Sequence, residues 1–169
     1  MGGDAATSDR TWQPGRVADR GLRGDAGGCP AATSVRKADV LDHLSIGVAS
    51  LDRAAAFYDA ALTPLGYVRL FTSARAVCYG PAGFTGEPPF AILALASDAK
   101  PAAPGFHLAF VASSRDGVDR FHAAAVSAGG IDEGPPGIRE NYNPGYYAAF
   151  VRDLDGYRLE AVLHEPVPG

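Results

Sequence analysis

Shifted against itself by 64 residues, the chain repeats a strand, a helix cap and a helix in register, which restricts its fold to a paired unit. His43 falls on His107, Leu44 on Leu108, Ser50 on Ser114 and Phe57 on Phe121. In the first copy, residues 41–48 alternate Leu44, Ile46 and Val48 with His43, Ser45 and Gly47, the period of a strand with one side on a core. Ser50 stands where it can cap a helix over Leu51–Leu62, whose apolar face is Leu51, Ala54, Ala55, Tyr58 and Leu62. Thr63 and Pro64 end that helix. Residues 67–71, 74–79 and 90–96 read as three further strands, with a Gly- and Pro-rich loop before the last. The second copy opens with a strand at 106–111 and a helix over 115–128, with Val118, Phe121, Ala125 and Ala128 on one face and Gly129-Gly130 as its stop. Each half is then strand, helix and three strands, although the stretch through Arg139 and Asn141 reads as irregular.

The second copy closes on YYAAFVRDLDGYRLEAVL, residues 146–163. Strands at 146–151 and 157–163 flank a turn at Asp153, Leu154, Asp155 and Gly156, because Asp-Gly between apolar runs favours tight hairpins. Glu160 interrupts the second of these strands. An unpartnered carboxylate there costs several kcal/mol or takes up a proton, so a partner is expected, either a salt bridge or a metal ion.

The length of 169 residues allows one domain with a substantial core, or two very small modules sharing one. A net charge of -4 gives no electrostatic reason for nucleic acid or an anionic membrane as partner. No apolar run approaches the roughly 20 residues of a transmembrane helix. Cys29 and Cys78 form neither a disulfide framework nor a zinc-type pair, so the cytoplasm is the expected compartment. Residues 1–38, with Trp12, Val17, Leu22 and Val35 as their sizeable apolar side chains, are expected to be a disordered tail. The folded domain is placed at 39–166, with modules at 40–98 and 105–165. Deleting 1–38 should therefore leave the thermal midpoint unchanged, and a large loss on truncation would show that the tail docks.

Strand parity gives the two faces their chemistry. Leu44, Ile46 and Val48, then Phe106, Leu108 and Phe110, then Tyr157, Leu159, Ala161 and Leu163 suit the helix-packed side. His43, His107 and Glu160 are left on the opposite face beside small residues. Two imidazoles and a carboxylate are a facial N, N, O donor set for a divalent transition metal, with positions open to water and substrate. A lone strand histidine is more often a hydrogen-bonded core residue, but two at one position of a duplicated unit are an improbable accident of packing.

Residues 40–165 resemble the vicinal oxygen chelate superfamily, which includes glyoxalase I, extradiol dioxygenases, fosfomycin-resistance enzymes and bleomycin-resistance proteins. The matching pieces are DHLSIGVASLDRAAAFYDAALTPLGY, GFHLAFVASSRDGVDRFHAAAVSAGG and FVRDLDGYRLEAV. The resemblance implies an α+β fold of two βαβββ modules whose curved mixed sheets enclose a metal and substrate cavity. It also implies His43, His107 and Glu160 as ligands of a divalent ion, with Fe, Mn, Ni and Zn equally admissible. The expected function is chelation of adjacent oxygens of a small substrate, in a lyase or isomerase or in a ring-cleaving dioxygenase. The alternative is a metal-free sequestration protein of the bleomycin-resistance type. Pairing of the halves within one chain and across a homodimer are both open.

Two departures bear on the reaction. The fourth strand is apolar where glyoxalase I has a fourth ligand, and Glu87 lies outside it, so Glu160 must serve as ligand and catalytic base together. Extradiol enzymes keep a tyrosine ten residues before the last carboxylate, and Phe150 stands there. Arg139, Tyr142, Tyr146 and Phe150 are the candidate substrate-binding residues, the arginine meeting an anion and the tyrosines a ring or hydroxyl; the rival reading is a loop with aromatic packing. His122 is expected to be solvated, His164 to lie at a fraying strand end, and Cys78 to act as a small buried hydrophobe.

Overall fold

The computed structural model describes residues 41–95 and 105–166; the expected tail lies outside them. The first half forms β1 (Leu44–Val48), α1 (Leu51–Leu62), a 3-10 turn (Thr63–Leu65), β2 (Tyr67–Thr72), β3 (Ala76–Pro81) and β4 (Phe90–Ala94). The second forms β5 (Leu108–Val111), α2 (Arg115–Ser127), β6 (Ile131–Ile138), β7 (Tyr146–Arg152) and β8 (Arg158–His164). Each half is a four-stranded mixed sheet, ordered β1-β4-β3-β2 in one and β5-β8-β7-β6 in the other. The first strand runs parallel to the last and all other neighbours are antiparallel. Both topologies are the same, so the 64-residue echo is a true structural repeat.

The helices lie between the sheets, which do not close into a barrel, and α1 packs on α2. One core collects Ala54, Phe57, Tyr58, Ala61 and Leu62 from α1, Val118, Phe121 and Ala125 from α2, and the inner faces of both sheets. Alternation holds as read: Ile46 and Val48, Phe110, and Tyr157, Leu159 and Ala161 point inward. Phe106 differs, being 39% exposed, because β5 starts only at Leu108 and the ring meets just the edge of Tyr157 at 6.4 Å.

Two further local expectations are corrected. Ser114 caps α2 by accepting from the Gly117 amide at 3.1 Å, whereas Ser50 occupies the equivalent place without a side-chain cap bond. The stretch read as irregular after α2 is the edge strand β6. Its register breaks between Asp132 and Gly134 and again between Gly134 and Gly137, which accommodates Pro135 and Pro136 without removing a central ladder bond.

The β7–β8 turn is tied across the molecule to the start of α1. Gly156 supplies the left-handed residue at φ 97°, a conformation other residues reach only with strain. Asp153 is 5% exposed and accepts from the Tyr58 hydroxyl at 2.6 Å and the Tyr157 amide at 2.7 Å. Asp155 accepts from the Ala49 amide, and Arg53 donates to the Leu154 carbonyl, both at 2.9 Å. No helix among the described residues is long and apolar enough to cross a membrane.

Candidate functional site

With one face of each sheet sealed against the helices, the outward face of the second sheet carries two of the candidate ligands, His107 and Glu160. Glu160 lies on β8 between Ala109 of β5 and Phe150 of β7. It points outward by parity, yet it is only 1% exposed. Phe150, Ala148, Val162 and the partly buried Tyr146 form a second apolar cluster on this face. Each Glu160 oxygen has a partner: the Tyr146 hydroxyl donates to Oε1 at 2.6 Å, and His107 Nε2 lies 3.2 Å from Oε2. Burial and then the Glu160 carboxylate push the Tyr146 hydroxyl well above the usual tyrosine range, so it stays a donor.

His43 stands elsewhere, just before β1 at the edge of the first sheet. Its Nδ1 is 2.9 Å from Asp42 Oδ2, and its side chain is 48% exposed. The hydrogen bond to Asp42 raises the imidazole above its ordinary value. With Nδ1 engaged by a carboxylate, Nε2 is the nitrogen left for a metal, a pairing common among metal-binding histidines. The chain thus brings His107 and Glu160 together and leaves His43 apart. Among the described residues no three His, Cys, Asp or Glu side chains gather into a metal-holding group.

Three of the four candidate substrate residues, Arg139, Tyr142 and Phe150, line a cleft of about 570 Å³ on the same outward face, with Glu133, Glu140 and Arg158 also in its walls; Tyr146 lies outside that lining. Phe150 is packed between two guanidinium groups, Arg158 at 4.8 Å and Arg139 at 5.3 Å from its ring centre. Tyr142, 68% exposed, meets Tyr146 edge-on at 5.1 Å, and Tyr146 meets His164 at 5.0 Å. His164 is therefore part of β8 and in contact with Tyr146 at its end. His122 is not solvated as expected. Its side chain is 15% exposed and its Nε2 is 3.0 Å from Asp132 Oδ1, because β6 continues past α2 and covers it. Burial raises the free thiol of Cys78, in keeping with a small hydrophobe.

Sequence reasoning passed over Asp42 and Arg158. Asp42 directly precedes His43, and strand parity had already set Arg158 on the face of Glu160.

The donor chemistry of His107 and Glu160 fits a divalent ion. Nitrogen and oxygen ligands bound at about 2.0–2.2 Å to one ion lie about 2.8–3.1 Å apart at octahedral angles and about 3.3–3.6 Å apart at tetrahedral ones, and their 3.2 Å separation falls within that span. Two donors are half of a site.

A family profile described as the Glyoxalase/Bleomycin resistance protein/Dioxygenase superfamily matches residues 40–161. Among solved structures, a glyoxalase/bleomycin resistance protein from Albidiferax ferrireducens T118 is 33% identical, with 73% of this chain and 97% of that chain covered and a TM-score of 0.61. A glyoxalase-related enzyme from Fulvimarina pelagi is 21% identical over 70% of this chain and 84% of that one, with a TM-score of 0.53. The fosfomycin resistance protein FosX from Mesorhizobium loti is 19% identical over 75% and 93%, also with a TM-score of 0.53. The last two show likeness of fold. No match is found among curated proteins.

Proposed function

The chain belongs to the Glyoxalase/Bleomycin resistance protein/Dioxygenase superfamily, and on that premise we propose that it binds a small molecule bearing adjacent oxygens at a divalent metal site shared between two copies. His107 and Glu160 of one copy and His43 of a second would hold the ion. The observation that carries this reading is the buried Glu160 carboxylate, paired with His107 on the outward face while the matching histidine of the first repeat stands apart with Nδ1 bound to Asp42. Among the described residues β1 and β5 are each an edge strand with one unpaired side. Setting the β1 edge of one copy beside the β5 edge of another brings the two histidines together, and a two-fold axis makes two such sites.

A bound divalent ion would supply Lewis acidity to the negative charge that develops on the chelated oxygens. The chain's own residues do the rest. Tyr146 holds Oε1 and Oε2 faces His107 and the ion's place, so the carboxylate would take or return a proton on the oxygen it frees from one of these partners. Ring cleavage would need a free acid beside the substrate. Phe150 has none to give, and the Tyr146 proton is committed to Glu160. Proton-transfer chemistry of the lyase or isomerase kind is therefore the reading supported best.

Complementation between variants tests it. Wild type should bind one ion per chain, and His43→Ala and Glu160→Ala should each bind none. Mixed and reassembled, the two variants should recover about a quarter of wild-type capacity, since each mixed dimer rebuilds one intact site. No recovery, or a monomer that binds the ion by itself, overturns the shared site. No specific ion in wild type leaves the metal-free sequestration reading in its place.

A further inference from the structure

Arg139 is a cation of the cleft that no carboxylate of the described residues pairs with. Of the two acidic residues lining the cleft, Glu140 is in no ion pair among the described residues, and Glu133 is taken by Arg152 and by Arg158, whose Nε is 3.3 Å from Oε2. No carboxylate of the described residues lies within ion-pair distance of Arg139. Its Nη2 donates instead to two neutral carbonyls, Pro135 at 2.6 Å and Ala148 at 3.1 Å. Its Nε is buried with no acceptor. The local sequence makes room for this pose: a Cβ at Gly134 would stand 3.3 Å from Nη2 and 3.2 Å from Phe150. The glycines and prolines of β6 thus fold the guanidinium back over Phe150, pinned by carbonyls and facing the cleft. A half-buried cation held in a fixed pose by neutral groups is a receptor for an oxyanion, since its charge and remaining N–H groups are satisfied only when one arrives.

We propose that Arg139, in the cleft beside Phe150, receives a carboxylate, phosphate or phosphonate terminus of a substrate whose other end meets His107 and Glu160. Phe150 is the β7 neighbour of Glu160, and the Arg139 guanidinium folds back over its ring at 5.3 Å from the centre, so Phe150 is the side chain that links the two ends. The substrate is thus an anion whose charged end and chelated oxygens are separated by at least the width of one aromatic side chain.

This inference rests on the reading that the outward face of the second sheet is the substrate face, but its test is independent of metal. Inorganic phosphate and, separately, benzoate are titrated into full-length protein freed of metal by chelator. The Arg139 Nε–H resonance is followed by nitrogen-15 NMR and affinity by calorimetry. The expected result is saturable binding of at least one probe that moves this resonance. Arg139→Gln should weaken it at least about 10-fold, with partial recovery in Arg139→Lys, because a hydrogen bond to a charged group is lost. Binding of phosphate alone assigns a phosphoryl or phosphonyl terminus, and binding of benzoate alone a carboxylate. No saturable binding of either probe overturns the proposal, as does binding that leaves the Arg139 resonance unmoved or is equal in Arg139→Gln. Should Arg139→Gln not fold, the resonance in the wild-type protein decides. Metal loading of Arg139→Gln should equal wild type, which separates a failure here from a failure of the metal site.

Discussion

Asp153→Ala is expected to lower stability by about 3–5 kcal/mol, from the loss of three hydrogen bonds and the stranding of a buried hydroxyl and turn amides. For a domain of this size that is a fall in thermal midpoint of about 10 °C or more. The carboxylate takes the Tyr58 hydroxyl on Oδ2 and the backbone amides of Tyr157 and Asp155 on Oδ1. Truncation strands a hydroxyl on a side chain with 0% exposure and frees the turn joining β7 to β8. Tyr58→Phe keeps the ring packed on Phe57 and Phe90 and should cost less, about 1–3 kcal/mol. The double variant should fall short of the sum, since both changes remove one contact. Burial raises the Asp153 carboxyl above its ordinary value, against the hydrogen bonds that lower it. The folded state therefore holds this proton more tightly than the unfolded chain. Its contribution is complete below the unfolded aspartate range and is lost as pH rises through the folded value. Wild type should thus gain on Asp153→Asn as the solution is acidified. A midpoint for Asp153→Ala within about 2 °C of wild type would show that the link carries no load.

Glu160→Gln should abolish specific binding of the divalent ion while leaving the fold intact. The amide has the carboxylate's shape and still accepts the Tyr146 hydroxyl, but it lacks the charge that a hard or borderline cation requires. Loss should exceed the roughly 10–100-fold penalty typical of changes in groups that only support a ligand. Tyr146→Phe falls in that smaller range, since it removes the donor that orients Oε1. Isothermal titration with Mn(II), Ni(II) and Zn(II), beside a thermal melt of each variant, measures both. Wild-type affinity in Glu160→Gln would remove this carboxylate from the site, and equal losses in both variants would remove the distinction between ligand and support.

Much of the fold was readable because it is built from short-range periodicities. Leu44, Ile46 and Val48 alternate, α1 spans the residues that its apolar face indicated, and the 64-residue echo reappears as two sheets of identical strand order. The misreadings fall where local pattern competes with position in the sheet. Residues 131–138 look irregular because Pro135 and Pro136 suppress the strand signal, and an edge strand tolerates them. His122 looks solvated on its helix because only the later strand β6 brings Asp132 against it.

The sequence by itself determined the two repeats, the inward and outward faces of their strands, and the donor types of His43, His107 and Glu160, since all three follow from alternation along neighbouring residues. Only the tertiary structure decided which donors meet. The helices pack between the sheets, so β1 and β5 stay on separate sheets, and parity cannot reveal that separation. His107 reaches Glu160 because β5 and β8 are hydrogen-bonded neighbours, and His43 does not because its strand pairs with β4. The buried Tyr58–Asp153 contact spans 95 residues and the unpaired charge of Arg139 depends on two other arginines claiming Glu133. Contacts of that kind arise from how elements are placed in space, and no local period in the chain encodes them.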